Sequence, residues 1–298
     1  MKPYYRYSTY LKDRFGVRVN KVSVDAGFSC PNKDGKISRQ GCIYCDNRTF
    51  NFYNRNDKIP TLEDQISLGI DAAKKHFKAK KFIIYFQSNT NTYASVEELK
   101  KIYDIVEKFK DVVGISIGTR PDCVNKDILD LISSYTDKYE VWIEYGLQSI
   151  HNKTLEFINR GHTYEDFLKT IELTRKYPIK ICIHVILDLP GETEEMMLET
   201  AKEMARLKID GIKIHPLYIV KGTKLEEIYN ESEYEPMQLK EYIKLLSKFL
   251  SIIPFETVIQ RISAYSPKDL LIAPDWVSKR NTVESVLIMQ LKVCPFED

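Results

Sequence analysis

Three cysteines near the start of the chain have a spacing that suits metal binding. Cys30, Cys42 and Cys45 form a Cys-x11-Cys-x2-Cys pattern, and Tyr44 directly precedes the last cysteine. A structural zinc ion and the usual iron–sulfur cluster each take four protein ligands. Three thiolates therefore indicate a metal centre with one open position. The glycine-containing segment 31–41 is expected to form a loop that returns Cys42 to Cys30.

Two other interpretations of these cysteines stay open. A zinc ion could use Cys123, Cys182, Cys294 or a histidine as its fourth ligand. The thiols could also bind no metal at all. A disulfide scaffold is excluded, because six cysteines are too few for one in a chain of 298 residues.

The composition excludes several classes of protein. The chain has 44 Lys and Arg against 42 Asp and Glu, a formal net charge of +2, which excludes a protein that coats polyanions but allows a local basic patch. No apolar run approaches the roughly 20 residues of a membrane span, and the N-terminus lacks an apolar signal segment. We therefore expect a cytoplasmic protein without membrane contact.

Short apolar runs alternate with helical patterns along most of the chain. This alternation predicts a parallel sheet with right-handed crossovers. Runs such as KFIIYF and IKICIHVIL are typical of strands buried on both faces. The predicted strands are Lys21–Ala26, Lys81–Gln87, Val112–Gly118, Glu140–Leu147, Ile179–Leu187, Gly211–Ile219 and Glu256–Ile262. The predicted helices are Thr61–Phe77, Ser95–Phe109, Asn125–Tyr135, Tyr164–Lys176, Thr193–Leu207, Pro236–Leu250 and Asn281–Leu291.

Polar and glycine-containing segments follow the predicted strands. They are the cysteine loop, QSNTNTY, TRPDC, GLQS, DLPGET and the pair His215-Pro216. Active sites of such barrels lie at the carboxyl ends of the strands, so we expect one site there. The fold is predicted to be α/β, a partial TIM-like (β/α)6 barrel. Residues 1–263 are expected to form the barrel with its N-terminal segment, and residues 264–298 a C-terminal extension packed on it.

The segment CPNKDGKISRQGCIYC resembles the cluster loop of radical SAM enzymes. The long first gap is similar to that of small radical SAM proteins related to the catalytic subunit of Elongator. Further blocks carry the resemblance along almost the whole chain: RYSTYLKDRFG, TRPD, GLQS, NRGH, LPGETEEMMLET, KIHPLYIVKGTKL and RISAYSPKDLLIAP. The resemblance implies a 4Fe–4S cluster on Cys30, Cys42 and Cys45, whose open iron binds S-adenosylmethionine.

The resemblance also implies which residues contact S-adenosylmethionine. Tyr44 would pack near the adenine, and Gly191 lies in a turn whose backbone would approach it. Gln148 and Arg160 would hold the ribose hydroxyls and the methionine carboxylate, and His184 the ribose. Relatives carry a Gly-Gly-Glu turn for the amino group, for which this chain has Gln87, Ser88 and Asn89. They also carry a glutamate where Gly118 stands here, and Glu144 is the expected substitute.

The implied function is a radical SAM enzyme that modifies the position-5 side chain of a wobble uridine in tRNA. The implied electron donor is a flavodoxin or ferredoxin. A small-molecule or protein substrate, and a zinc-stabilised RNA-binding protein without catalysis, are the alternatives. The interleaved tyrosines and cations of YYRYSTYLKDR suit either base stacking or a lid on the bottom of the barrel.

Overall fold

Seven parallel strands form one curled sheet. The structure is a computed structural model, and it describes residues 4–49, 59–279 and 281–293, the last three by their backbone alone. The strand order is β1-β2-β3-β4-β5-β6-β8, and β1 and β8 are the two edges. The predicted partial barrel is confirmed, with seven strands where six were expected. The strands are β1 (Val19–Val24), β2 (Lys81–Phe86), β3 (Val112–Thr119), β4 (Glu140–Gln148), β5 (Lys180–Leu187), β6 (Gly211–Pro216) and β8 (Val258–Arg261).

Helices cover the outer face of this sheet. Their buried side chains, such as Ile66, Leu99 and Phe167, share one apolar cluster with the strands. Two of these helices begin at capping residues. Ser95 and Glu98 form a capping box at the start of one, and at the start of another the Thr61 hydroxyl accepts a hydrogen bond from the backbone N–H of Asp64. The helices are α1 (Tyr7–Phe15), α2 (Leu62–Phe77), α3 (Val96–Tyr103), α4 (Lys126–Ser133), α5 (Asn152–Phe157), α6 (Tyr164–Thr174), α7 (Glu194–Arg206), α8 (Lys224–Asn230), α9 (Leu239–Ile252) and α10 (Thr282–Val293).

The two faces of each strand have different surroundings. In β2, Ile84 and Phe86 pack in the cluster that the helices share, whereas Tyr85 between them lines a cavity inside the sheet. Successive side chains of a strand point to opposite faces, so a strand surrounded on both sides alternates in this way. The inner face can therefore carry polar groups although the strand sequence reads as apolar.

The N-terminal segment closes the bottom of the barrel. The rings of Tyr7 and Tyr10 pack edge-on against Trp142, which lies near the amino end of β4. The carbonyl of Tyr5 accepts a hydrogen bond of 2.9 Å from the backbone N–H of Ile259, so the segment also pairs with β8. The structure thus gives these tyrosines the position of a lid, at the opposite end of the barrel from the cysteines.

The C-terminal extension packs on the last helices of the barrel. Trp276 lies against Tyr242 of α9 with ring centroids 5.3 Å apart. A short antiparallel pair joins β7 (Ile219–Val220) to β9 (Leu271–Ala273). The boundary after residue 263 stays a prediction. None of the helices that the structure describes is long and apolar enough to cross a membrane.

Candidate cofactor site

One cavity lies at the carboxyl ends of the strands and reaches into the barrel. Its volume is about 260 Å³, and all three clustered cysteines line it. Of the residues expected to contact S-adenosylmethionine, seven also line it: Tyr44, Gln87, Asn89, Glu144, Gln148, Arg160 and His184. Ser88 and Gly191 are not among the lining residues, and their roles in cofactor binding stay predictions.

The cysteine loop folds back as its glycines suggest. The backbone N–H groups of Lys33 and Asp34 donate to the carbonyl of Cys30, and that of Ile37 donates to the carbonyl of Pro31. Gly41, directly before Cys42, has a φ of +73°, a conformation that favours glycine. These turns place Cys30, Cys42 and Cys45 on one wall of the cavity.

The donor set on this wall fits an iron–sulfur cluster with one open iron. The three cysteines form no disulfide, and all three line the cavity. A structural zinc ion takes four protein ligands, and neither Cys123 nor Cys182 lines this cavity. Three thiolates suit a cluster that leaves one iron open to a ligand.

Cys42 is held by two cationic or polar donors. The amide of Asn32 lies 3.6 Å, and the guanidinium of Arg160 3.5 Å, from its sulfur. Both donors would stabilise a thiolate, which is the form that binds metal. Asn32 also donates to the carbonyl of Asn159 at 2.6 Å, which joins the cysteine loop to the NRGH segment.

Arg160 is a buried guanidinium that forms no ion pair with any described residue. It is 7% exposed, and its Nη2 donates to the carbonyl of Gly146 at 2.6 Å. A Cβ on residue 146 would come within 2.7 Å of that nitrogen, so glycine there makes room for the guanidinium. A buried cation needs a partner, and a ligand carboxylate would supply one bidentately. The position agrees with the expected methionine carboxylate site.

Arg120 of the TRPD segment holds the backbone of Arg160 in place. Arg120 is almost fully buried, pairs with Asp122 at 2.9 Å and donates to the carbonyl of Arg160 at 2.8 Å. The Arg120 side chain therefore fixes the backbone of Arg160. Arg120 was not among the residues predicted to act at this site.

Gln148 and Asn89 have strained backbones at the ends of β4 and β2. Their φ values are +80° and +58°, which is uncommon for residues other than glycine. The amide of Asn89 donates to the carbonyl of Phe28 at 2.8 Å and accepts from Asn47 at 2.7 Å. Asn89 thus holds the cysteine loop against β2, and its polar atoms are already in use.

Glu144 lies at the centre of a hydrogen-bond network in the barrel. Its carboxylate accepts from Lys21 at 2.6 Å and from His184 at 2.8 Å, and also from Lys213 and Ser116. Burial alone would raise the pKa of Glu144, but Lys21 and Lys213 hold it well below its usual range. The carboxylate is therefore ionised and engaged, which favours positioning over direct contact with a nucleoside.

His184 is neutral and has one nitrogen left for a ligand. Burial, with help from Lys213, lowers its pKa to about 4. Because ionised Glu144 can only accept, Nε2 of His184 carries the proton and donates to it. Nδ1 is then an acceptor, which suits a hydroxyl group such as those of ribose.

The remaining cysteines do not belong to this wall. Cys182 is fully buried in β5, as a core residue would be, and burial raises the pKa of the Cys123 thiol to about 12. Neither lines the cavity. Cys294 lies outside the described residues.

Lys21 and Lys213 are the functional candidates that the sequence analysis missed. Both stand in otherwise apolar strands, VNKVSV and GIKIHP. A lysine inside such a run is a signal, because a buried ammonium requires a partner.

Comparisons with known proteins agree with this geometry. The family profile of the radical SAM superfamily matches residues 35–204, and that of the radical SAM C-terminal domain matches residues 209–289. An uncharacterized protein of Methanocaldococcus jannaschii is 42% identical over 95% of this chain and 88% of its own length. The tRNA uridine(34) acetyltransferase of the same organism is 34% identical, over 65% of this chain and 35% of the enzyme.

Solved structures show the same fold. Elp3 of Methanocaldococcus infernus superposes with a TM-score of 0.69 at 22% identity, over 92% of this chain and 63% of that one. Methylornithine synthase superposes with a TM-score of 0.54 at 10% identity, over 96% of this chain and 85% of that one. At these identities the likeness concerns the fold alone.

Proposed function

This chain belongs to the radical SAM superfamily, and we propose that it modifies the position-5 side chain of a wobble uridine in tRNA. When bound, a 4Fe–4S cluster and S-adenosylmethionine would together supply a 5′-deoxyadenosyl radical. The observation that carries the proposal is one cavity that contains three free cysteines and the buried, unpaired Arg160. The electron would come from a flavodoxin or ferredoxin.

The chain's own residues would bind and orient the two cofactors. Cys30, Cys42 and Cys45 would each hold one iron, and the fourth iron would face the cavity. Arg160 would pair with the methionine carboxylate, because its guanidinium lies beside Cys42 and forms no ion pair with an acidic residue that the structure describes. His184 would accept a ribose hydroxyl at Nδ1.

Three further side chains would complete the cofactor site. Tyr44 lines the cavity next to the cysteines, and its ring would pack on the adenine. Gln148 would donate to the ribose from its strained position at the end of β4. Gln87 would accept from the methionine amino group.

The tRNA substrate is supported by relatives and by the open edge of the sheet. The relative at 34% identity is a tRNA uridine(34) acetyltransferase, which shares about two thirds of this chain. β1 and β8 do not pair as strands within the described residues, so the barrel is incomplete at this seam, which the side-chain hydrogen bond of 2.8 Å from Lys21 to Gln260 crosses. An anticodon loop presents unpaired bases that could enter such an opening at low energetic cost.

Stimulation of cofactor cleavage by RNA tests this proposal. Reconstituted protein with S-adenosylmethionine and reductant should form 5′-deoxyadenosine faster with total tRNA than without it. The control is the same tRNA with Cys42→Ala protein, which should form none. Cleavage that tRNA does not change would favour a small-molecule or protein substrate, and zinc in place of iron would favour the non-catalytic RNA-binding protein.

Mass spectrometry of tRNA nucleosides from cells with and without the gene would identify the modified position. A changed wobble uridine is the expected result. Unchanged nucleosides throughout would contradict the tRNA proposal.

A further inference from the structure

A polar network crosses the inside of the barrel, away from the cysteines. It contains one side chain from each of the seven strands of the sheet. The members are Lys21 of β1, Tyr85 of β2, Ser116 of β3, Glu144 of β4, His184 of β5, Lys213 of β6 and Gln260 of β8. Such a layer needs a balanced charge to be stable.

The charges of this layer are not balanced. Glu144 supplies one negative charge, and Lys21 and Lys213 supply two positive ones. The two histidines nearby, His184 and His215, have lowered pKa values because they are buried, and they add no compensating negative charge. The layer therefore carries an excess positive charge.

Lys213 has a donor to spare, whereas Lys21 does not. The ammonium of Lys21 donates to Ser116, Glu144 and Gln260, at 3.3, 2.6 and 2.8 Å. The ammonium of Lys213 donates to Glu144 and, at 3.1 Å, to Tyr85. The Lys213 ammonium also lies 4.2 Å from the centroid of the Tyr85 ring. An ammonium has three donors, and Lys213 lines the cavity with no third hydrogen-bond acceptor among the described residues.

Arg261 adds a second free cation beside Lys213. It ends β8 at the open edge of the barrel and lines the same cavity. Arg261 forms no ion pair or side-chain hydrogen bond within the part of the chain that the structure describes. Arg261 is the register partner of Lys213 on the neighbouring strand, and His215, two residues beyond Lys213, lines the same cavity.

Lys213 and Arg261 lie on different strands from the groups that Arg160 contacts. Arg160 contacts Gly146 on β4 and the sulfur of Cys42, whereas Lys213 lies on β6 and Arg261 on β8. His184 of β5 stands between them, in register with Gly146 on one side and with Lys213 on the other. The methionine carboxylate needs only the guanidinium beside the cysteines.

We propose that Lys213 and Arg261 form a subsite that binds an oxyanion of the substrate, a carboxylate on the modified base or a phosphate of the RNA. The subsite rests on the proposed function, because it takes the occupant of the cavity to be a uridine in RNA. An oxyanion would pair with the Arg261 fork and the third Lys213 donor, and would offset the excess charge.

A metal ion is the other occupant that the side chains of this layer suggest. Glu144, Cys182 and His184 have ligand atoms within 4.8 Å of one another. However, the Glu144 oxygens already accept from two ammonium groups, which would repel a divalent cation. The Cys182 thiol is fully buried, and burial raises its pKa, so it would not supply a thiolate.

Binding of paired nucleosides tests the subsite. Calorimetry would use protein loaded with cluster and S-adenosylmethionine, without reductant, so that no turnover occurs. 5-Carboxymethyluridine would be compared with its neutral amide, 5-carbamoylmethyluridine, and uridine 3′-phosphate with uridine. In one of the two pairs the anionic member should bind about tenfold more tightly or better, and that pair identifies the source of the oxyanion.

Variants link that preference to the two residues. Lys213→Met and Arg261→Gln should each remove most of the preference, and Arg261 at the exposed edge should be replaceable without unfolding. Lys126→Gln removes one charge from an exposed pair on α4 and should keep the preference. Equal binding within both pairs, no binding of either anion at about 10 mM, or a preference that survives Arg261→Gln would overturn the subsite.

These results separate the subsite from the proposed function. Stimulation of cofactor cleavage by tRNA without an anion preference would overturn the subsite alone. An anion preference without any effect of tRNA would overturn the tRNA substrate, and would leave Lys213 and Arg261 as the binding site of another anionic molecule.

Discussion

The two ends of the cavity are built from different parts of the fold. Loops form the cysteine end, where Gly41 and Gln148 have positive φ values and Arg160 follows a short helix. Strands form the other end, where Lys21, Lys213 and Arg261 project from β1, β6 and β8, with a shift in register between β6 and β8 at Lys213. A loop site can place several ligands within a few residues, whereas a strand site gathers groups that are far apart in sequence. If the proposed sites are correct, substitutions at Arg160 and at Arg261 should affect the binding of cofactor and of substrate separately.

Removing a cysteine should have the largest effect. Cys30→Ala, Cys42→Ala or Cys45→Ala should abolish cluster binding and all cleavage of S-adenosylmethionine, because each would remove one of the three proposed iron ligands. Iron content per chain and formation of 5′-deoxyadenosine are the measurements. Cys182→Ala is the matched control, since its thiol is fully buried elsewhere, and it should keep both. Full iron content without Cys30 would contradict the assignment.

Removing the Glu144 charge should have the next largest effect, a loss of stability of the fold. Glu144→Gln leaves the ammonium groups of Lys21 and Lys213 buried without a counter-charge, which should lower the free energy of unfolding by about 3–5 kcal/mol. Urea unfolding measures the loss.

Glu107→Gln, in an exposed pair with Lys138, is the control for Glu144→Gln and should change the unfolding midpoint very little. The double variant Glu144→Gln with Lys213→Met should recover part of the stability. An unchanged unfolding midpoint for Glu144→Gln alone would show that the charge of Glu144 makes no net contribution to the free energy of unfolding.

Removing the Arg160 clamp should affect the cofactor but not the cluster. Arg160→Gln should weaken binding of S-adenosylmethionine roughly 10–150-fold. This range corresponds to the loss of about 1.5–3 kcal/mol that is typical of a hydrogen bond to a charged group. Equilibrium binding to cluster-loaded protein measures it. Arg206→Gln, in an exposed pair with Glu203, should bind normally. An unchanged dissociation constant with full iron would place the carboxylate clamp elsewhere.

The smallest expected effect is a change with pH in the affinity for an anionic nucleoside, which depends on Lys213 and not on Arg160. Burial, opposed by Glu144, lowers the pKa of Lys213 to about 8. The ammonium is the form that binds an anion, so affinity for the anionic nucleoside should be full below pH 8 and should fall as the pH rises through it. The titratable or charged groups around Lys213 are Lys21, Tyr7, Tyr85, Glu144, Cys182, His184, His215 and Arg261.

Calorimetry between pH 6.5 and pH 9.5 would measure this dependence. Lys213→Met should show a flat profile over the same range. A fall in affinity that persists in Lys213→Met would assign the titration to another group.

The loop-built end was predictable because its residues are adjacent in sequence. Only two residues separate Cys42 from Cys45, and the candidate residues Gln148 and Arg160 lie in the short segments GLQS and NRGH. The alternation of apolar runs and helical patterns likewise predicted the sheet, because buried parallel strands have a distinctive composition. The contacts expected of Ser88 and of the Gly191 backbone with the cofactor stay predictions.

The strand-built end was not predictable, because its residues are spread from Lys21 to Arg261. Only the strand order brings them together, and each looks like an isolated polar residue in its own segment. The role of the N-terminal tyrosines was undecided for the same reason. Whether Tyr7 stacks on a base or on Trp142 depends on where α1 lies relative to β4, which no local pattern contains.

The pairing of the N-terminal segment with β8 also bears on self-association. An open sheet has two edges of unpaired N–H and C=O groups, and such edges can add strands from other molecules. The hydrogen bond from Ile259 to the Tyr5 carbonyl uses part of the β8 edge, and the Arg6–Glu284 ion pair at 2.9 Å fastens the segment to α10. Tyr5 and Arg6 therefore protect part of the β8 edge of this half-barrel against edge-to-edge aggregation.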